Sequence, residues 1–461
     1  MTHSPFAVRG LVEGFYGVFY TVHERNDLIR FMAEHGYNLY VYGPKNDRWH
    51  RERWREPYPA DVMAHFATTV ATANEVGVTF CYAVGPGITI CYASDEEFRA
   101  LTAKVRAFYD LGVRAFSLLL DDIALVFHCE EDQERYGSYG EAHADLCNRL
   151  YEWLQALDDT CTLSMCPTYY HGAPPFDAYL HDLGERLHPA IDVFYTGVQV
   201  CSPTIAVEEV AAFAEAVRRP PLIWDNYPVN DLAMSPRMHI GPILGRDPAL
   251  AEVARGMVAN PMNQPEASKV ALHTYATYLR DPHSYEPETA WEQALREVGG
   301  DECYPALRLF AENSLDSCLG APQSTPLQGL VDAVLDSLRQ GVPPSRSEAL
   351  RALEQYVLAL EDAGYHLKNR SDNYSLRNDL LPWLDLLDNW VWMTRRAVEV
   401  LRKMESGEPY EKPLKRMGEL LHIATHHAKQ WAGEVLVPLA DYVREQAIQR
   451  EEEVVHAAVA G

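Results

Sequence analysis

Ala115-Phe116-Ser117-Leu118-Leu119-Leu120-Asp121-Asp122-Ile123 decides the fold. Of the six residues ahead of the acidic pair, five are apolar and one is a small Ser. A short apolar run bounded by charge reads as a strand buried on both faces, the kind found in parallel sheets covered by helices. Two carboxylates at the C-terminal edge of such a strand are costly unless they are partnered or used. In parallel α/β proteins that edge is where active sites sit. The plain alternative is that one Asp caps the next helix and the other faces water.

Seven further apolar runs flank this one: Val8–Val12, Tyr37–Tyr42, Val78–Val84, Thr162–Cys166, Ile191–Tyr195, Pro221–Trp224 and Gly256–Ala259. Helical patterns separate them, among them His23–His35, Ala60–Val76, Asp95–Leu111, Gly140–Ala156 and Pro265–Leu279. Eight strand–helix units in about 280 residues match a (β/α)8 TIM barrel in count and size. A doubly wound sheet is the competitor, but no GxGxxG turn follows the first run. After Arg280-Asp281-Pro282 the strand-like runs stop. We therefore divide the chain into a barrel over residues 1–285 and an all-α helical domain over 286–461. Ser345 and Glu348 read as a capping box ahead of Leu350, Leu353, Val357 and Leu360. Leu384, Leu387 and Val391 repeat that spacing, and Leu414 to Ala447 reads as one more helix.

Lys and Arg total 40 against 66 Asp and Glu, a net charge of −26. That balance repels nucleic acid and anionic membranes and suits a neutral ligand. The nine Cys are scattered, with no CxxC and no zinc-finger spacing, and read as free thiols in a reducing compartment. The N-terminus lacks a charged segment followed by an apolar one. No apolar run approaches the ~18 residues of a membrane span. The expectation is a cytoplasmic protein.

On the barrel reading, polar residues gather at one rim. Glu13 and Gly14 follow the first run, Lys45 the second, Asp121 and Asp122 the fourth, and Tyr169 and Tyr170 the fifth. Asp225, Asn226 and Asp231 follow the seventh, and Asn260 the eighth. Carboxylates, carboxamides, a Lys and a Tyr converging on one rim form a constellation rather than an accident. With Tyr16, Trp224 and Tyr227 nearby, it suits a sugar, whose hydroxyls need partners and whose apolar face needs an aromatic wall. Adjacent Cα atoms lie ~3.8 Å apart, so Asp121 and Asp122 are poorly placed to flank an anomeric carbon as acid and nucleophile. They can serve neighbouring atoms on one side of the sugar, one protonating the leaving oxygen and the other orienting a substrate group that attacks. Two other readings stand beside this one: a metal-dependent hydrolase using the carboxylates as ligands, and a silent sugar-binding module.

RGLVEGFYG (Arg9–Gly17), YGPKNDRWHRERWREPYP (Tyr42–Pro59), LLLDDI (Leu118–Ile123), CPTYY (Cys166–Tyr170), IWDNYPVND (Ile223–Asp231) and ANPMNQPEASKVALHTYATYL (Ala259–Leu279) together resemble glycoside hydrolase family 84. Its members are β-N-acetylglucosaminidases, among them protein O-GlcNAcases. The resemblance implies retaining exo-hydrolysis of terminal β-linked GlcNAc through an oxazoline, with no cofactor and no metal. It implies that Asp121 polarises the acetamido group and that Asp122 is general acid and base. Gly14, Lys45, Asn226, Asp231 and Asn260 match sugar contacts, Tyr170 the support of the acetamido oxygen, and Trp224 a wall of the acetyl pocket. Tyr16, in the first block, joins the substrate-binding set. The implied partner is a GlcNAc-bearing glycoprotein or small glycoside, and the implied oligomer is a homodimer through the helical domain. Tyr169 stands where many members have Glu, and Leu232 where many have Tyr. Both sit at the rim and bear on preference beyond the first sugar.

Overall fold

The eight runs form eight parallel strands: β1 (Val8–Glu13), β2 (Leu39–Tyr42), β3 (Thr79–Val84), β4 (Ala115–Leu119), β5 (Thr162–Cys166), β6 (Asp192–Tyr195), β7 (Leu222–Asp225) and β8 (Gly256–Ala259). They pair in chain order, and β8 closes on β1 with Val8 opposite Gly256 and Leu11 opposite Ala259. The result is a closed (β/α)8 barrel in a computed structural model that describes residues 4–321 and 324–460. Every residue of β4 is buried, which is why its run is continuous rather than alternating. Ala115 and Leu119 join Val12, Val41, Ala83, Cys166, Phe194 and Val258 inside the barrel. Phe116 and Leu118 alternate with Ala115 and Leu119 and face the surrounding helices. The seam needs a glycine: a Cβ on Gly256 would stand 2.1 Å from the Val8 carbonyl oxygen.

Helices Val22–Glu34, Ala60–Val76, Asp95–Asp110, Tyr139–Leu157, Ala178–Arg186 and Val207–Val217 separate the strands, and Pro265–Arg280 follows β8. The first is opened by Thr21, whose hydroxyl accepts from the Glu24 N–H while the Glu24 carboxylate accepts from the Thr21 N–H. Such a cap contributes ~1 kcal/mol and fixes where the β1 loop ends. Only the short helix Leu250–Val253 and a three-residue turn interrupt the long segment between β7 and β8.

The chain forms two compact units. One holds the residues up to Leu232 together with Pro242–Trp291, and the other holds Ala233–Gly241 together with the residues from Glu292 onward. Helices Thr325–Arg339, Glu348–Asn369, Tyr374–Ser406, Glu411–Thr425 and Gly433–Ala460 build the second unit, after Pro287–Ala311, whose backbone breaks at Gly300 (φ 74°). Leu350, Leu353, Val357 and Leu360 are all buried, as the spacing demands. Within this unit the Ala233–Gly241 segment is well tied. The Pro236 carbonyl accepts from Trp383 Nε1 (2.9 Å) and from the Gln430 N–H (2.7 Å). Ser235 accepts from Lys429 Nζ (2.8 Å), and Arg237 pairs with Asp316 (2.9 Å).

Three expectations need correction. Ser347, not Ser345, caps the Glu348–Asn369 helix, accepting from the Leu350 N–H, while the Ser345 N–H donates to Glu405. The expected helix from Leu414 to Ala447 is two helices with a break over His426–Ala432. The nine Cys are not all thiols: Cys91 and Cys129 form a disulfide, and the other seven are not disulfide-bonded. The two lie 38 residues apart, too far for any spacing motif to pair them, and the inference of a reducing compartment from cysteine usage falls. Among the described residues no helix is long and apolar enough to cross a membrane.

Candidate active site

At the C-terminal ends of the strands lies a cavity of about 320 Å³. Gly14, Tyr16, Lys45, Asp121, Asp122, Tyr170, Trp224, Asn226, Asp231 and Asn260 all line it. The strands therefore bring together all ten residues expected to act on or bind the sugar.

Asp121 and Asp122 follow β4 by way of Leu120, whose N–H still donates to the Cys166 carbonyl and whose own carbonyl accepts from Thr168 Oγ1 (2.7 Å). The sheet thus holds the chain up to the residue before the pair. Asp121 is buried. Its Oδ2 accepts from Lys45 Nζ, whereas its equally buried Oδ1 has no protein partner. Burial pushes the Lys45 ammonium down, but Asp121 and Asp122 outweigh that and hold its pKa above the ordinary lysine value. Lys45 is therefore a fixed cation, 5.7 Å above the Trp224 ring.

Asp122 is exposed at the mouth and has a left-handed backbone (φ 53°). That conformation costs a non-Gly residue roughly 1 kcal/mol, so its surroundings must hold it. Its Oδ2 accepts from Tyr16 Oη (2.8 Å) and its Oδ1 from Tyr170 Oη (2.9 Å). Burial alone would raise its pKa. The Lys45 charge, the two phenol hydrogen bonds and Arg51 outweigh burial and hold the carboxyl below its usual range. Both phenols move the other way: burial and the Asp122 charge raise them. Burial and repulsion from Asp122 also raise Asp231, against the pull of the Tyr16 N–H that donates to its Oδ2 (2.7 Å).

The opposite wall is a chain of contacts. Trp224 Nε1 donates to Asn226 Oδ1 (2.8 Å), Asn260 Nδ2 donates to the same oxygen (2.9 Å), and the Gly14 N–H donates to Asn260 Oδ1 (3.3 Å). Asn226 Nδ2 donates to the Val200 carbonyl (2.7 Å). The indole lies so close to Gly14 that no side chain fits between them.

Two carboxylates expected at the rim are not site groups. Glu13 is fully buried and takes Arg25 on both oxygens (2.7 and 3.0 Å). Asp225 is also buried and takes Arg246 Nε at 2.7 Å. Each is a structural ion pair behind the pocket, since a buried charge persists only when paired. Asp121, Asp122 and Asp231 are thus the acidic residues lining the cavity. Tyr170, expected to support a ligand's acetamido oxygen, lines the cavity and donates its hydroxyl to Asp122 Oδ1 (2.9 Å). Sequence reasoning missed Arg51, six residues beyond Lys45, because nothing separates it from the other cations of its block. It also missed Thr196, Val200, Cys201 and Val229, which line the cavity from loops without a chemical signature.

The family model for beta-N-acetylglucosaminidase matches residues 9–312. Protein O-GlcNAcase from Rattus norvegicus and that from Mus musculus are each 35% identical over 276 residues, covering 59% of this chain and 30% of each relative. The match spans less than a third of the length of these curated relatives. Among solved structures, a mutant of the Thermobaculum terrenum O-GlcNAc hydrolase aligns with a TM-score of 0.92 at 31% identity, covering 98% of this chain and 97% of that one. CpGH84B aligns with a TM-score of 0.83 at 29% identity, covering 95% and 77%.

Proposed function

Since the chain belongs to the beta-N-acetylglucosaminidase family and is a glycoside hydrolase, we propose that it removes terminal β-linked GlcNAc with retention, the substrate's own acetamido oxygen acting as nucleophile. The observation that carries this reading is Asp121. Lys45 holds one of its oxygens, and the other is buried, unpartnered by protein, and part of the pocket lining. A carboxylate so presented is an acceptor for an acetamido N–H. It pushes electron density onto the carbonyl oxygen and stabilises the positive oxazolinium as charge develops, where the stabilisation counts most.

The acetamido oxygen bonds to the anomeric carbon while the bond to the aglycone oxygen breaks, and Asp122 supplies the proton that the departing oxygen needs. Water then adds to the anomeric carbon from the side the aglycone left, giving its proton back to Asp122, and the oxazoline reopens. Two inversions give retention. The reaction needs no cofactor. Trp224 and Gly14 form the acetyl wall, and Lys45, Asn226, Asp231 and Asn260 hold the ring hydroxyls. A cavity near the lower end of the range for ligand sites suits a single terminal sugar.

For the aglycone we propose a polypeptide. Val18, Phe19, Ile88, Val126, Tyr169, Val200 and Leu232 are the large hydrophobic residues that the described part of the barrel unit exposes. Each lies on a segment that follows the C-terminal end of a strand, where the pocket opens. Such a surface suits apolar side chains flanking a glycosylated Ser or Thr better than a second sugar. A net charge of −26 also disfavours a polyanionic glycosaminoglycan.

The test is a series of aryl glycosides carrying N-acetyl, fluoroacetyl and trifluoroacetyl groups. The rate is expected to fall steadily as fluorine withdraws density from the attacking oxygen. A flat series, together with a sugar trapped as an ester on an Asp or Glu, would show that an enzymic carboxylate attacks. Comparing an O-GlcNAc peptide with chitobiose decides the aglycone. Faster cleavage of chitobiose would remove the polypeptide reading alone.

A further inference from the structure

Arg51 stands outside every role assigned so far. It leaves the loop after β2, and that loop is fastened at several points. Buried His50, whose pKa burial lowers to about 4, is neutral and donates Nδ1–H to the Ala83 carbonyl (2.9 Å). The Gly85 N–H donates to the His50 carbonyl (2.9 Å). Buried Asp47 accepts from Tyr42 Oη (2.8 Å), Tyr58 Oη (2.7 Å) and the Trp49 N–H (2.9 Å). The first carbons of the Arg51 side chain pack over Gly85, where a Cβ would stand 3.1 Å from Cγ. The guanidinium is thus delivered from a rigid base.

Its two ends then reach two parts of the same residue. Arg51 Nη2 donates to the backbone carbonyl of Asp122 (3.1 Å). Arg51 Nη1 donates to Tyr16 Oη (3.2 Å), which itself donates to Asp122 Oδ2 (2.8 Å). The planar fork of an Arg can bridge two acceptors in this way, and a Lys cannot reproduce it. An Arg only donates. By filling an acceptor position on the Tyr16 oxygen it turns the phenol's single proton toward the carboxylate. Tyr170 engages the other carboxyl oxygen, Oδ1, in the same way (2.9 Å), so a proton carried by Asp122 takes a remaining lone pair, on the open side of the pocket. The bond to the Asp122 carbonyl holds the left-handed backbone that aims the carboxyl there.

We propose that Arg51 is a positioning residue for proton donation: it clamps the peptide and the phenol partner of Asp122 together, so that the acid faces the departing oxygen. This rests on the reading of Asp122 as general acid, and the experiment separates the two. Rates are measured on aryl GlcNAc glycosides whose leaving-group pKa spans several units, for the parent, Asp122→Asn, Arg51→Met, Arg51→Lys, Tyr16→Phe and the Arg51→Met/Tyr16→Phe double variant. Asp122→Asn reports on the acid alone, because loss confined to poor leaving groups marks the acid. Arg51→Met is expected to lose ~10- to 100-fold in kcat on poor leaving groups, part of the 10²–10⁴ that a general acid supplies. It is expected to lose little on dinitrophenolate, with KM nearly unchanged. Arg51→Lys recovers part of the loss. The double variant is no worse than Arg51→Met, since the two side chains act as one unit. If Asp122→Asn shows the leaving-group dependence and both Arg51 variants lose activity equally on every substrate, or lose none, the positioning role is overturned and the acid stands. If Asp122→Asn itself shows no such dependence, the acid assignment fails first and the role of Arg51 fails with it.

Discussion

Gly14→Ala adds one methyl group and should cost most of the activity. An ideal Cβ at Gly14 stands 2.3 Å from Trp224 Cζ2 and 2.6 Å from Cη2. Carbon atoms rest at ~3.5–4.0 Å, so the indole would have to retreat by roughly 1.2 Å or more. Trp224 is 3% exposed, and its ring meets Phe194 edge-on with centroids 5.4 Å apart. The same movement would stretch its 2.8 Å bond to Asn226 to about 4 Å, beyond any hydrogen bond. Asn226 would then lose its orientation, and so would Asn260, which donates to the same oxygen. Overpacking of this kind costs ~1–3 kcal/mol of stability, a fall of a few degrees in Tm for a protein of this size. Misplacing a binding wall by ~1 Å costs on the order of 10²-fold in rate. The assay is kcat/KM on 4-nitrophenyl N-acetyl-β-glucosaminide alongside a thermal melt. The expected result is a folded protein with kcat/KM down about 100-fold, partly restored by Trp224→Phe, which gives the methyl room. Activity within about threefold of the parent would refute the claim that the Gly14–Trp224 contact sets the pocket wall.

Three other predictions follow from ionised groups and cross-links. Asp122 has a depressed pKa, so in the free enzyme it loses its proton at lower pH than an ordinary carboxyl. For poor leaving groups kcat/KM should therefore fall as pH rises through that value, because the acid form is the one required. Tyr16→Phe removes a hydrogen bond that favours the anion. It should raise that pKa and move the falling limb to higher pH. A limb that stays put or moves down counts against Asp122 as the acid held by Tyr16. Arg246→Met strands the buried Asp225 charge and should destabilise the barrel by about 3–5 kcal/mol in urea titrations. A loss under about 1 kcal/mol would mean that Asp225 is neutral or solvated. Cys91→Ser with Cys129→Ser frees a 38-residue loop and should cost ~2–4 kcal/mol. Equal stability of the parent with and without reductant would show that the bridge is not formed in solution.

The barrel was legible because its strands are buried on both faces, so each shows as an apolar run with no polar partner face to disguise it. β4 is the clearest case, and the step from Leu120 to Asp121 marks the end of the sheet to within one residue. Most of the ten expected lining residues were legible for a related reason: Gly14, Lys45, Asp121, Asp122, Tyr170, Asn226, Asp231 and Asn260 stand a short distance beyond such a run, while Tyr16 and Trp224 came from the blocks that carry the family resemblance. Which carboxylates are used was not legible. Glu13 and Asp225 occupy the same kind of position as Asp121, and what removes them from the chemistry is an Arg brought from 12 and 21 residues away in sequence. No local pattern announces Arg25 or Arg246 as a partner. The same limit hid the Cys91–Cys129 bridge and Arg51, whose importance lies in two acceptors more than 30 residues distant. In the helical region the break at His426–Ala432 escaped because apolar spacing continued on either side of it, and spacing reports a helix's face rather than its continuity.

The excursion of Ala233–Gly241 into the second unit has a practical meaning for anyone who would cut the protein down. Two residues after Asp231 the chain passes into residues whose partners are Trp383, Gln430, Lys429 and Asp316. A fragment ending near Pro282 would contain all eight strands and every residue that lines the pocket. It would still carry a nine-residue segment, just downstream of a pocket Asp, in which Ser235, Pro236 and Arg237 had lost their partners. The barrel unit is therefore not one contiguous segment of the chain. A chimaera that grafts this barrel onto another helical region would inherit the same debt, unless the nine residues travel with their partners.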